Sequence, residues 1–178
     1  MVNYTLLGLS GSLRQTSANS KLLLEAARLS GGQFVQADLR LPLYDNDIED
    51  AHGLPDEVQK LVRQVSQADA VAISTPEYNS GVSGVLKNAL DWISRADVKP
   101  WTDKPVVLMS AAAGRSGGAR ALTMLRSCMV PFRAQVISGP EVAVADCNNQ
   151  FDESGRLSPR YEKSLAELMK GLASEAAR

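Results

Sequence analysis

The sequence predicts an α/β fold: a doubly wound five-stranded parallel sheet with helices on both faces. Three observations carry that prediction. Short apolar runs at Tyr4–Leu9, Ala70–Ser74 and Val106–Ala111 show little period-two alternation, as expected of parallel strands buried on both faces. Between them, apolar residues recur at the three-four spacing that lines one face of a helix. The chain of 178 residues suffices for one such domain, residues 1–178, and is short for two.

Tyr4–Leu9 opens the sheet, and Leu22, Leu23, Ala26 and Leu29 form the apolar face of the first helix. Gln33–Leu39 is a weaker strand candidate. Pro55 suits the first position of the next helix, with Asp56 and Glu57 near the positive end of its dipole and Val58, Leu61, Val62 and Val65 facing the core. After the strand Ala70–Ser74, Leu86, Ala89, Leu90 and Ile93 mark a third helix. The strand Val106–Ala111 is followed by a fourth, with Leu122, Leu125 and Met129. Arg133–Ser138 with Glu141–Ala145 supplies the last strand region. The C-terminal helix starts where Ser158 can cap and Pro159 suits the first turn, and Tyr161, Leu165, Leu168 and Leu172 then share one face. His52, in the segment 45–53, reads as a solvated loop residue.

Composition narrows the function. Hydrophobic residues at 44% and charged residues at 22% are those of an ordinary globular chain. Nineteen basic and twenty acidic residues leave a charge of −1, which offers no footprint for nucleic acid or an anionic membrane. Two cysteines, Cys128 and Cys147, and one histidine make neither a disulfide framework nor a zinc site, so no metal is expected. No basic stretch precedes the first apolar run and no uninterrupted apolar run approaches ~18 residues, so neither a signal peptide nor a membrane span is expected, and the expected location is cytoplasmic.

Sheets of this kind bind ligands outside the carboxyl ends of their strands. The loop Ser10–Ser20 holds five hydroxyl side chains and Arg14, with no acidic residue. It reads either as an anion cradle at a helix N-terminus or as a polar turn in which Ser or Asn caps the helix. It is neither a Walker A loop nor a G-x-G-x-x-G loop. Thr75–Gly84 combines proline and glycine in a defined backbone that could face the edge of a polar ring; the alternative is a structured turn capped by Ser83. In Ser110–Arg120, small residues and glycines let a flat ligand approach the backbone, or else make a flexible connection. The convergence of three such loops on one edge says more than any one of them.

The string Gly11-Ser12-Leu13-Arg14 with Ser17 and Asn19, then Pro76-Glu77-Tyr78-Asn79 leading to Ser83-Gly84-Val85-Leu86-Lys87-Asn88-Ala89-Leu90-Asp91-Trp92, resembles the NAD(P)H-dependent FMN reductase family. That family includes quinone, chromate and azo-compound reductases on a flavodoxin-like fold. The likeness extends to the third loop and to the lead-in to the last helix, residues 151–157. It implies that Ser10, Ser12, Arg14, Ser17 and Asn19 hold the FMN phosphate. Pro76, Glu77, Tyr78 and Asn79 would line the isoalloxazine, and Ser110, Gly114 and Gly117 would approach its other edge. It further implies that NAD(P)H and a small-molecule electron acceptor use one ring face in turn, in a ping-pong sequence needing no side-chain catalyst, and that the chain is a homodimer or a tetramer built from dimers.

The rivals are weaker. A serine hydrolase needs a Gly-x-Ser-x-Gly elbow, and Gly8-Leu9-Ser10-Gly11-Ser12 fails at its fifth position. A low-molecular-weight phosphatase needs arginine where Ala134 follows Cys128, which reads as a small buried apolar group. A flavodoxin-type carrier, moving single electrons between proteins, is the non-enzymatic alternative, although such carriers use acidic steering surfaces that a charge of −1 does not supply. Tyr78 and Trp92 are aromatic candidates for flavin stacking, with packing or an oligomer contact the expected role of Trp92.

Overall fold

The computed structural model describes residues 4–178. In chain order the elements are β1 (Thr5–Ser10), α1 (Ala18–Ser30), β2 (Gln33–Gln36), α2 (Asn46–His52), α3 (Asp56–Gln67), β3 (Ala70–Thr75), α4 (Gly84–Ser94), β4 (Pro105–Ala111), α5 (Ala119–Met129), β5 (Gln135–Val136), β6 (Val142–Val144) and α6 (Pro159–Ala176). All strand pairings are parallel, in the order β2-β1-β3-β4-β5, and β6 also pairs with β4. This is the flavodoxin-like order, and it reverses direction between β1 and β3, where a crevice opens.

The central strands are apolar throughout because each side of the sheet is covered. Leu7, Leu9, Val71, Ile73, Val106 and Leu108 face α3, α4 and α5. Their neighbours Leu6, Ala70, Ala72, Val107 and Met109 face α1 and α6. Successive side chains of a strand point to opposite faces, so both cores draw on the same short runs.

The last strand region is two pieces. Gln135 and Val136 pair with Pro105 and Val106, and Val142–Val144 pair with Met109–Ala111. Between the pieces stand Gly139 and Pro140, and proline has no N–H to give a ladder. The segment around His52 is a short helix instead of a loop: Asp45 caps it by accepting the Asp47 N–H at 2.9 Å, and Gly53 ends it at φ 72°. His52 itself is exposed.

Two helix starts differ from expectation. Pro55 is the cap residue of α3, one position before the first helical residue. Ser158 precedes α6 without a side-chain cap; its hydroxyl donates instead to Gln150 Oε1 at 2.8 Å, while Pro159 takes the first helical position. Trp92 is fully buried, edge-on to Tyr44 at 4.9 Å, with its indole N–H donated to Pro42 O at 2.8 Å. It is therefore core, and neither a stacking group nor an exposed contact. Cys128 is half-buried, and no helix among the described residues is long and apolar enough to cross a membrane.

Candidate functional site

A cleft of about 450 Å³ opens at the carboxyl edge of the sheet, walled by the loops that follow β1, β3 and β4. Of the expected residues, Ser12, Arg14, Ser17 and Asn19 line one end, and Pro76, Glu77, Tyr78 and Gly114 line the rest. Ser10, Asn79, Ser110 and Gly117 stand outside its wall.

The first loop leaves donors unspent. Ser17 caps α1, accepting the N–H groups of Asn19 and Ser20 at 3.2 and 3.4 Å. The backbone N–H groups of Gln15, Thr16 and Ala18 have no acceptor among the described residues. Among the described residues neither the Arg14 guanidinium nor the Lys21 ammonium makes an ion pair; Lys21 Nζ lies 5.9 Å from the centre of the Phe151 ring. One carboxylate lines the cleft, that of Glu77, and it is engaged elsewhere. A helix N-terminus with free N–H groups, hydroxyls and two unpaired cations is suited to a phosphate monoester.

The opposite part of the cleft is flat-walled and sparse in side chain. Ala111, Ala112, Ala113 and Gly114 form one side, and a Cβ built on Gly114 would stand in open space. The facing wall is a tight two-residue hairpin: Tyr78 and Gly81 exchange backbone bonds of 3.0 Å, and Asn79 and Ser80 take left-handed φ of 50° and 63°, as in a type I′ turn. Asn79 sits at the tip of that turn, exposed, while Tyr78 stands half-open at the lip. Such a slot admits a planar ring edge-on to backbone groups.

Several expected ligands also make internal hydrogen bonds that brace the loops. The Asn19 amide donates to Ala111 O at 2.9 Å and accepts from Ser74 Oγ at 2.8 Å and Ala111 N at 3.0 Å, which ties α1 to β3 and β4. One of the two amide N–H donors is spent on Ala111 O and the second has no acceptor among the described residues, so Asn19, which lines the cleft, keeps a donor for a phosphate. Ser10 Oγ is buried against Ser20 Oγ at 3.0 Å and Ser12 O at 3.2 Å. Ser110 Oγ donates to Thr75 O at 2.6 Å. Gly117 is required by the protein's own backbone: with φ 62°, a Cβ there would lie 2.3 Å from Ala143 O and 2.5 Å from Ala143 C. The close approach that a glycine at 117 permits in this structure is to β6.

Six further residues of the wall are not among the individually expected ligands. Thr16, Lys21, Ser116, Cys147, Asn148 and Phe151 all line the cleft. Burial, reinforced by Asp146, pushes the Cys147 thiol up from its ordinary value, which keeps it protonated and a poor nucleophile. Phe151 arrives on a small hairpin, residues 151–157, anchored by the buried carboxylate of Glu25. That carboxylate accepts from Arg28 Nε at 2.8 Å, Arg156 Nη1 at 3.0 Å and the Leu157 N–H at 3.1 Å. Burial alone would raise the Glu25 carboxyl, but bonds from Arg28, Leu157 and Arg156 outweigh it and hold the group below the ordinary range.

The chain is similar to known proteins in sequence and in fold. Residues 4–149 match the family described as NADPH-dependent FMN reductase. The chain is 43% identical over 164 residues to an NAD(P)H-dependent FMN reductase of Pseudomonas aeruginosa, covering 90% of this chain and 88% of that one. It is 37% identical over 148 residues to a quinone reductase of Escherichia coli K12, covering 81% and 79% respectively. Among solved structures, a flavoenzyme NAD(P)H:(acceptor) oxidoreductase from Paracoccus denitrificans superimposes with a TM-score of 0.87 at 26% identity over 97% of both chains.

Proposed function

The chain belongs to the NADPH-dependent FMN reductase family, an FMN-using and NAD(P)H-dependent group of oxidoreductases, and from that premise we propose that it reduces quinones by a ping-pong sequence in this cleft. The observation that carries the reading is the unspent donor set at the start of α1, beside a flat slot at the β1/β3 switch point. FMN, when bound, supplies two-electron chemistry, accepting hydride from NAD(P)H and passing electrons to the acceptor.

The protein's part is binding and orientation. Ser12, Thr16 and Ser17 with the free N–H groups of Gln15, Thr16 and Ala18 would surround the phosphate, and Arg14 and Lys21 would balance its charge. Asn19, at the wall, would offer its second amide N–H while bracing β3 and β4, and Ser10 and Ser110 would act behind them by fixing the loops. Pro76, Glu77 and Tyr78 would present backbone to one edge of the ring, Asn79 would shape the turn that holds them, and Gly114 would leave room at the other edge. Gly117 contributes by letting the third loop pack on β6. No side chain is asked to exchange a proton or form a bond.

Residues 1–178 act as one FMN-binding domain in this reading. NAD(P)H and the acceptor would use the same cleft in turn, in keeping with a ping-pong order. Exposed Leu13, Leu43, Tyr78 and Met124 support a homodimer, or a tetramer of two dimers, and a cytoplasmic place fits an enzyme that consumes reduced nicotinamide. Steady-state oxidation of NAD(P)H by a benzoquinone, with FMN loaded, tests the order. Parallel double-reciprocal lines are expected. Intersecting lines mean a ternary complex, and no nicotinamide oxidation at all means an electron carrier.

A further inference from the structure

A second cleft, of about 610 Å³, lies at the amino edge of the sheet, away from the first. Its walls come from the second half of α4, the loop before β4, and the turn that follows α5. Leu90, Ile93 and Cys128 make it apolar. Trp101 and Phe132 add two rings with centres 5.9 Å apart, tilted by 49°. Trp101 is 1% exposed, and its indole Nε1 is the buried side-chain polar atom without a partner among the described residues.

The charge around this apolar wall is one-sided. Lys87 and Asp91 neutralise each other at 2.6 Å. Lys99 Nζ reaches only the Ala96 carbonyl oxygen, at 3.2 Å, and the Arg133 guanidinium has no acceptor among the described residues. Lys99 and Arg133 therefore stand at the rim without an ion-pair partner among the described residues. Arg133 is also held in a left-handed φ of 58°, and its carbonyl oxygen accepts the N–H of Asp103, which is itself at φ 58°. Non-glycine residues adopt that conformation at a cost and persist there when the surroundings impose it.

We infer that this cleft is a second binding site, for an amphipathic aromatic anion whose rings lie against Leu90, Trp101 and Phe132 and whose carboxylate or sulfonate meets Arg133 and Lys99. The apolar lining supplies the driving force and the guanidinium the orientation, as in small-molecule sites generally. The site is separate from the flavin cleft, so it does not depend on the reading given above for that cleft.

The test uses the FMN-loaded protein, in which the first cleft is filled, and anilinonaphthalenesulfonate as the probe. Saturable fluorescence enhancement with one probe per chain is expected, leaving the flavin absorbance unchanged. Arg133→Gly suits the left-handed backbone and removes only the side chain, so it should weaken the probe roughly ten- to a hundredfold without unfolding. Cys128→Phe, which fills the wall, should abolish the site. Binding that is unchanged in both variants, or not saturable, overturns the inference. So does fluorescence that falls as the protein is concentrated, because a second copy would then be what covers the cleft.

Discussion

Glu77 caps a helix to which it does not belong: its Oε2 accepts the backbone N–H of Arg120 at 3.0 Å and of Ala121 at 3.4 Å, at the start of α5. The residue that precedes α5, Gly118, has no side chain to offer. The loop after β3 and the loop after β4 are thereby locked together across the cleft. Glu77→Ala should cost about 0.5–2 kcal/mol, the range for losing a helix cap, and lower Tm by about 1–8 °C. FMN affinity should fall with it, because both walls loosen. Glu77→Gln keeps an oxygen acceptor and should recover most of both losses; calorimetry and an FMN titration on the two variants check this.

The phosphate end can be separated from the ring end with riboflavin, which lacks the phosphate. Arg14→Ala removes a charge-assisted bond worth about 1.5–3 kcal/mol, so FMN should bind roughly ten- to a hundredfold more weakly and riboflavin about equally well. Lys21→Ala should show the same selectivity, with the lower end of that loss. Equal weakening of both ligands in fluorescence titrations would make the two cations structural.

Two glycines of the third loop should respond in opposite ways. At Gly114 an added side chain meets open space, so Gly114→Val should block flavin uptake while circular dichroism and Tm stay near wild type. At Gly117 an added Cβ meets the backbone of β6 at 2.3 Å, so even Gly117→Ala should lower Tm. Flavin retained in Gly114→Val would place the ring elsewhere.

Glu25 gives stability a defined acid dependence. Its carboxyl titrates lower in the folded protein than the ordinary value of about 4.3, so its contribution is present in full above that value. It is lost as the pH falls through the folded pKa. At neutral pH Glu25→Gln should have a lower Tm than wild type, and the gap should close below about pH 4.3. A gap that stays constant down to the lowest accessible pH would remove the ion-pair explanation.

How much of this was legible follows from where the determinants lie in the chain. The buried strands and the helices α1, α3, α4, α5 and α6 announce themselves because each carries an apolar run or stripe. The helix α2 buries none of its residues, so only Asp45 and Gly53 could have marked it. The site loops were legible as polar, small-residue segments at strand ends. Which of their side chains face the cleft was not, because a serine or asparagine at a strand end is equally suited to bracing the next strand. Asn19 makes that choice with Ala111, 92 residues away. Lys21 reads as a solvated helix residue, and Phe151 reaches the cleft only through the long-range hold of Glu25 on Leu157.

FMN held in this cleft should pass electrons from reduced nicotinamide to a small acceptor. An anaerobic titration of the FMN-reconstituted protein, followed by flavin absorbance, tests it most directly. About one equivalent of NADH or NADPH per flavin should bleach the flavin band, and about one equivalent of a benzoquinone should then restore it, because both are two-electron partners. A protein that takes up no FMN, or that binds it and leaves the band unbleached with either nucleotide, would contradict the account.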